Sequence, residues 1–382
     1  MKELNKIVIS KCYNYNWGTI FNILLLHLKS LQITNCIQGK TVLLKPNLLG
    51  PHKPEDAVTT HPEFIRAVIR LCKKLNCKEI LVGDSPSVVN FDEVVVKTGV
   101  KQLCSEENVK LLNLSTYPVI EKPYNRFGLK KIVVSRIIND VDFIINLPKL
   151  KTHSLTVITC AVKNMYGIVP GMTKSLYHKY APHPREFLDI VYTVYNFRHP
   201  DLTIVDGIIG MDGEGPAGGD VKNFALVLSS QNGLCIDWYV ANKIFHMSEN
   251  LLYKKEWLLP AKVKYIETDE KYLNELKTRL PSTIPVFLYL PSFVLNILKQ
   301  FVWFKPKIDN KLCKKCGKCY DICPQKTIKI VNKNYVIFYD RCITCLCCQE
   351  TCPYKAVKIV RSPLYQTAFL IKEFVYNMFK KF

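Results

Sequence analysis

The chain has 382 residues, 48% of them hydrophobic and 22% charged, with 53 Lys+Arg against 32 Asp+Glu for a formal charge of +21. That composition fits one large or two ordinary globular domains and excludes disordered and collagen-like architectures. Of the 53 cations 44 are Lys and only 9 Arg, scattered along the chain; base readout favours Arg, so the charge reads as compositional bias and no nucleic-acid partner is expected.

In chain order, the opening MKELNKIVISKCYNYNW has neither an apolar run of signal-peptide length nor a small-residue cleavage site, which points to a cytoplasmic location. Short β-branched runs then alternate with helical patterns, the mark of an α/β fold with a mostly parallel sheet flanked by helices. Strands are expected at Thr41–Leu44, Glu79–Val82, Lys131–Val134, Asp142–Leu147, Leu202–Val205 and Phe224–Leu228, and helices at Pro62–Leu75, Phe91–Glu106 and Arg185–Asn196. This α/β domain is expected over residues 1–250. A connector follows at 251–306, with a charged helical stretch at Asp269–Leu280 and an apolar run at 284–304. Pro285, Pro291, Asn296, Lys299 and Gln300 interrupt that run, so no integral membrane span is expected. The tail, 361–382, reads as a basic amphipathic helix from Ser362 on, which docks on its own protein or touches an anionic membrane surface.

Cysteine carries the most definite chemistry. Nine of the sixteen cysteines lie between Cys313 and Cys352, in two copies of Cys-x-x-Cys-x-x-Cys-x-x-x-Cys-Pro offset by 29 residues. The offset persists beyond the ligands, from Lys326-Thr-Ile-Lys-Ile-Val331 to Lys355-Ala-Val-Lys-Ile-Val360, so two related halves fold together, each with a short strand after its ligand loop. Three thiolates at two-residue spacing wrap three corners of an iron–sulfur cube, and the Cys before Pro reaches the other cube. Zinc has no use for this doubled pattern.

The segment 307–360 thus resembles the bacterial-type ferredoxin, a small α+β domain with an internal repeat and two 4Fe-4S clusters. The resemblance assigns Cys313, Cys316, Cys319 and Cys352 to one cluster and Cys342, Cys345, Cys348 and Cys323 to the other. Cys347 falls outside the register and is expected to pack beside the second cluster. A redox partner protein is implied, and the Lys-rich loop around Lys311, Lys314, Lys315 and Lys318 suits an acidic electron donor.

In an open parallel sheet, ligands bind beyond the carboxyl ends of the strands. The segments there supply Lys45 and Asn47, Asp84, then Lys149, Lys151 and His153, then Lys163 and Asn164, and finally Asp206. A loop over 207–219 follows, with six of the sixteen glycines, including Gly213 and Gly215 about Glu214. Lys45, Lys149, Lys151, Lys163, His153 and that loop would form a basin for a small anionic ligand. Lys149, Lys151 and His153 are the candidates for a reacting role. Asp84, Asp206, Asp212 and Glu214 offer a divalent cation site instead. The motifs Leu43-Leu-Lys-Pro-Asn-Leu48, Gly83-Asp-Ser-Pro86, Leu147-Pro-Lys-Leu-Lys-Thr-His153, Val162-Lys-Asn-Met-Tyr-Gly167 and Gly213-Glu-Gly-Pro-Ala-Gly218 resemble the domain-of-unknown-function 362 family, frequently joined to a ferredoxin-type module. That resemblance supplies architecture and an iron–sulfur expectation, and no substrate.

Three functions are open on the sequence: relay of low-potential electrons to an anion in the α/β domain, a non-catalytic electron carrier whose large domain docks partners, and a redox-sensing ligand-binding module. If the chain is an enzyme, it is an iron–sulfur oxidoreductase. The distance from the nearer cluster to Lys149 and His153 separates the three.

Overall fold

A computed structural model describes residues 5–86, 89–247, 262–283, 301 and 303–367. Its main body is a ten-stranded sheet. The strands are β1 (Lys6–Lys11), β2 (Thr41–Pro46), β3 (Glu79–Asp84) and β4 (Lys110–Asn113), then, past the separate hairpin β5 (Val119–Arg126) and β6 (Leu129–Ser135), β7 (Phe143–Leu147), β8 (Lys149–His153), β9 (Val157–Thr159), β10 (Leu202–Asp212), β11 (Asp220–Ser230) and β12 (Lys262–Ile266). The order across the sheet is β12-β1-β11-β10-β7-β2-β3-β4, with β8 and β9 added beside β10. On the main path every neighbouring pair is parallel except those of β11 with β1 and β10. The chain therefore has the mostly parallel α/β architecture that its alternating runs imply.

Both faces of the central strands are apolar, as buried parallel strands require. Val42, Leu44, Val82 and Ile145 point to one core with the helices Trp17–Leu31 and Pro62–Lys74. Leu43, Leu81 and Ile144 point to the other, with the helix Pro184–Phe197. Pro62 sits in the first turn, where its missing N–H costs nothing, and the His61 imidazole accepts the Glu63 N–H at 3.2 Å as a cap.

The structure departs from the sequence reading in several places. Lys131–Val134 is a strand, but of the β5–β6 hairpin outside the main sheet. The helix expected over Phe91–Glu106 breaks into Phe91–Lys97 and Val100–Glu106 at Gly99, whose φ of +75° is left-handed. The helix expected over Asp269–Leu280 covers only Glu270–Glu275. Lys149–His153 is not a loop but β8, and β10 continues through Gly207 to Asp212, leaving 213–219 as the loop. The sheet also runs past residue 250. β12, inside the expected connector, pairs in parallel with β1, and its Val263 and Tyr265 pack on the core. Most of the apolar run at 284–304, and the tail from 368 on, lie outside the described residues.

The C-terminal module contains β13 (Phe304–Ile308), β14 (Ile328–Val331), β15 (Asn334–Ile337) and β16 (Val357–Arg361), in the antiparallel pairs β13–β16 and β14–β15, with short helices at Lys318–Ile322 and Cys347–Thr351. The sequence repeat is also a repeat of backbone conformation. Lys315, Gly317 and Lys326 have positive φ, and so do Thr344, Leu346 and Lys355, each 29 residues further on.

Candidate functional site

The eight register cysteines line two separate cavities in the C-terminal module. One is walled by Cys313, Cys316, Cys319 and Cys352, the other by Cys323, Cys342, Cys345 and Cys348. These are the two crosswise sets that the ferredoxin resemblance implies. Backbone amides turn toward the sulfurs: Lys315 N–H to Cys313 Sγ at 3.4 Å, Thr327 N–H to Cys323 Sγ at 3.3 Å and Ala356 N–H to Cys352 Sγ at 3.3 Å. Burial and neighbouring thiols push Cys319 up to about 11 and Cys348 well above the ordinary thiol range. Sulfurs so placed are held together as thiolates only opposite cationic metal. Among the described residues no three Cys, His, Asp or Glu side chains close on a single ion. The donor set fits two 4Fe-4S clusters, each a one-electron carrier when bound.

A third cavity, of about 100 Å³, lies between this module and the carboxyl edge of the sheet. Its α/β wall includes Lys45, Asn47, Asp84, Lys151, His153, Lys163, Asn164 and Lys174; its other wall is Ile322, Cys347, Glu350 and Thr351 of the ferredoxin-like module. Of the residues singled out from the sequence, Lys45, Asn47, Asp84, Lys151, His153, Lys163 and Asn164 therefore meet here.

Their surroundings sort them by role. Lys45 is fully buried and paired: its ammonium lies 2.7 Å from Asp84 Oδ1 and donates to Pro46 O at 2.9 Å. Asp84 also accepts the N–H groups of Leu48 (2.7 Å) and Ser85 (2.8 Å). Gly167 makes this pair possible, because a Cβ there would stand 2.2 Å from Lys45 Nζ and 2.3 Å from Asp84 Oδ1. Asn164 accepts from Asn47 Nδ2 at 3.0 Å and donates to Asn146 Oδ1 at 2.8 Å, which fixes both amides. Lys151 donates to Val58 O at 2.5 Å, and Lys174, which the sequence did not single out, donates to Ser85 O. Burial pushes Lys151 and Lys174 each down to about 7.

Lys163 differs from these. Its ammonium lines the cavity above the Phe187 and Tyr166 rings, 5.3 and 5.7 Å from their centroids, and makes no hydrogen bond or ion pair among the described residues. Facing the same space, Asn47 Oδ1, Thr159 Oγ1 and Glu350 Oε1 are buried without hydrogen-bond partners. His153 Nδ1 accepts the N–H groups of Leu155 (3.1 Å) and Thr156 (3.3 Å), so its proton sits on Nε2, 3.3 Å from Glu350 Oε1. Burial holds this imidazole neutral, well below the ordinary histidine range.

The remaining candidates lie elsewhere. Lys149 is fully buried, 2.9 Å from Asp206 Oδ2 and 2.7 Å from the Tyr15 hydroxyl. Asp206 also accepts Tyr15 Oη–H at 2.8 Å and His61 N–H at 3.0 Å, with the Tyr15 and His61 rings stacked at 3.6 Å. Gly213, Glu214 and Gly215 seat the C-terminal module instead of lining the cavity. Arg361 reaches Glu214 Oε1 at 2.9 Å, Gln349 Nε2 donates to Glu214 O at 3.2 Å, and a Cβ on neighbouring Gly218 would stand 2.7 Å from Gln349 Nε2. The four carboxylates considered for a divalent cation do not converge. Asp84 faces Lys45, Asp206 faces Lys149, Asp212 faces Arg279 and Glu214 faces Arg361.

Cys347 joins the two halves of this description. Its side chain lines both the cavity of Cys323, Cys342, Cys345 and Cys348 and the lysine-lined cavity. A hydrogen bond with the Cys345 sulfur, reinforced by burial, holds its thiol well above the ordinary range.

The model of a domain of unknown function, DUF362, matches residues 42–242, more than half of the chain. The chain belongs to this family. In this DUF362 protein a 4Fe-4S dicluster domain follows, matched over residues 305–353. A thylakoid-associated protein of Synechocystis sp. is 31% identical over 207 residues, 53% of this chain and 63% of that relative. The chain thus spans less than two thirds of that relative's length. The pyruvate synthase subunit PorD of Methanocaldococcus jannaschii is 38% identical over 62 residues, 16% of this chain and 72% of PorD. Among solved structures, the lactate racemase apoprotein of Thermoanaerobacterium thermosaccharolyticum overlaps 61% of this chain and 56% of its own, with a TM-score of 0.38 and 11% identity. A Thermotoga maritima protein overlaps 51% of each chain, with a TM-score of 0.34 and 15% identity. Among the described residues no helix is long and apolar enough to cross a membrane.

Proposed function

We propose that this protein is an iron–sulfur oxidoreductase that passes electrons from its two-cluster module to a small anion bound between the modules. The observation that carries the reading is the position of Cys347, which lines both the second cluster's cavity and the lysine-lined one. His153 and Glu350 touch across the same boundary at 3.3 Å, and Glu350 shares a five-residue helix with the ligand Cys348. Electron delivery needs such proximity; a ferredoxin that only docked partners does not.

In this reading Lys163, Lys151 and Lys174 bind the anion, since buried ammonium groups without a full set of partners gain most from a charged acceptor. Each electron accepted in a buried site adds negative charge to the bound anion, and the ammonium groups of Lys151 and Lys174, pushed down to about 7, can return a proton. Lys45, Asn47, Asp84 and Asn164 shape the floor. His153 is a positioning residue that holds Glu350. Lys149 and Asp206 fix the strand ends behind it.

The test uses anaerobic protein loaded with about eight irons, the complement of two cubes, reduced with dithionite and freed of excess reductant. Phosphates, carboxylates and nucleotides are added in turn while the visible absorption of the clusters is followed. At least one anion should speed reoxidation, and Lys163→Ala should slow that response about tenfold or more. If no anion alters the clusters, or if the variant responds as the native chain does, the proposal fails.

A further inference from the structure

The two clusters stand in different surroundings. The second abuts the internal cavity, whereas the first has a ligand, Cys316, that is exposed to solvent. Around Cys316 the exposed residues are Lys311, Lys314 and Lys315 together with Leu312, Tyr320 and Tyr354, the last three 41%, 42% and 46% accessible. Between residues 305 and 333 there are nine Lys and only two Asp. Asp309, one of the two, is occupied in capping the Lys311 N–H at 2.9 Å, and Lys318 is turned away to Glu93 at 3.2 Å. The face is therefore an apolar centre within a basic rim, directly over a cluster. Exposed apolar groups ringed by charge mark transient protein contacts, and a field of one sign steers a partner of the other.

We propose that this face, Lys311, Leu312, Lys314, Lys315, Cys316 and Tyr320, is the docking surface for an acidic one-electron carrier protein, and that electrons enter at the first cluster and leave at the second. The inference rests on the electron-relay reading above and adds to it a partner and a direction. The balance is one electron per encounter: the reduced carrier is oxidised by one electron, the first cluster is reduced by one, and the second takes that electron before a second carrier docks. No proton or leaving group is involved at this face.

The experiment measures binding of a strongly acidic flavodoxin to the full, cluster-loaded chain as a function of salt, beside the rate of cluster reduction by that flavodoxin and by dithionite. The native chain should bind more weakly as salt rises. A variant carrying Lys311→Glu, Lys314→Glu and Lys315→Glu should lose about tenfold or more in affinity and most of the salt dependence. A control with Lys29→Glu and Lys130→Glu, two exposed lysines of the α/β domain, should bind as the native chain does. Iron content and visible absorption establish that each variant keeps its clusters. Should the triple change lower iron content, Tyr320→Ser tests the same face away from the ligand loop, with an expected loss of about threefold. Equal losses in the control and the triple variant would reduce the effect to overall charge and overturn the proposal, as would absent binding with normal dithionite reduction. Failure of the relay reading has a different signature: the flavodoxin docks and reduces the clusters, yet no anion reoxidises them.

Discussion

Lys149 and Lys163 are both lysines that the sequence places beyond strand ends, and both are enclosed by protein, yet they have opposite roles. Lys149 has a carboxylate at 2.9 Å and a phenol at 2.7 Å, and that carboxylate is itself satisfied by Tyr15 and a backbone amide. Lys163 has two aromatic faces and a cavity. A buried charge whose partner is built in is part of the framework. One whose partner is missing implies that the partner comes from outside.

The largest effect that would break this contrast belongs to Lys149→Ala. Removing one member of a fully buried pair leaves Asp206 charged and uncompensated, so chemical denaturation should show a loss of about 3–5 kcal/mol. A loss under about 1 kcal/mol would mean that the pair is solvated and not structural. For Lys163→Ala the signs reverse. Stability should change little, while affinity for the anion that works best, read by calorimetry, should fall by about 1.5–3 kcal/mol, the range for a hydrogen bond to a charged group. Gly167→Ala sharpens the comparison from the floor of the cavity. Its Cβ must part Lys45 from Asp84, with an expected cost of about 1–3 kcal/mol in denaturation midpoint terms.

The smallest effect is in pH. Burial brings Lys151 and Lys174 down from 10.5 to about 7. Between those values the unfolded chain binds protons that the folded chain does not, so stability of the ligand-free protein should rise as pH climbs through that window. Anion affinity should fall over the same range, as the ammonium groups are lost. Denaturation and binding curves at several pH values check both slopes, and parallel slopes would contradict the assignment of these lysines to the ligand.

How far the sequence could be read follows from which contacts are local. The cluster cysteines could be paired from spacing alone because each ligand loop closes within a few residues and the 29-residue repeat supplies the crossing partner. The parallel sheet was legible from doubly apolar strands such as Val42–Leu44, where both faces are buried. Period-two alternation also puts Lys149, Lys151 and His153 on one side of β8. What stands opposite that side was not legible. Tyr15 and Asp206 occupy the space before Lys149, whereas Lys151 reaches past them to the cavity. Lys174 sits in a helix, Thr173–Tyr180, with no motif to flag it. Glu350 and Cys347 reach the site only when two modules far apart in the chain dock. The glycine-rich loop misled for the same reason: its glycines answer to the approach of Gln349, a side chain 131 residues beyond Gly218.

The helix Cys347–Thr351 serves at once as scaffold for a metal ligand and as one side of the chamber beyond it. The two modules are therefore not interchangeable parts. A ferredoxin grafted from another source would bring its own eight sulfurs, but it would leave the chamber open to bulk water unless it also carried counterparts of Ile322, Cys347 and Glu350. Descent is constrained in the same way, because a change on either side of that seam alters the shape of a space that both sides enclose.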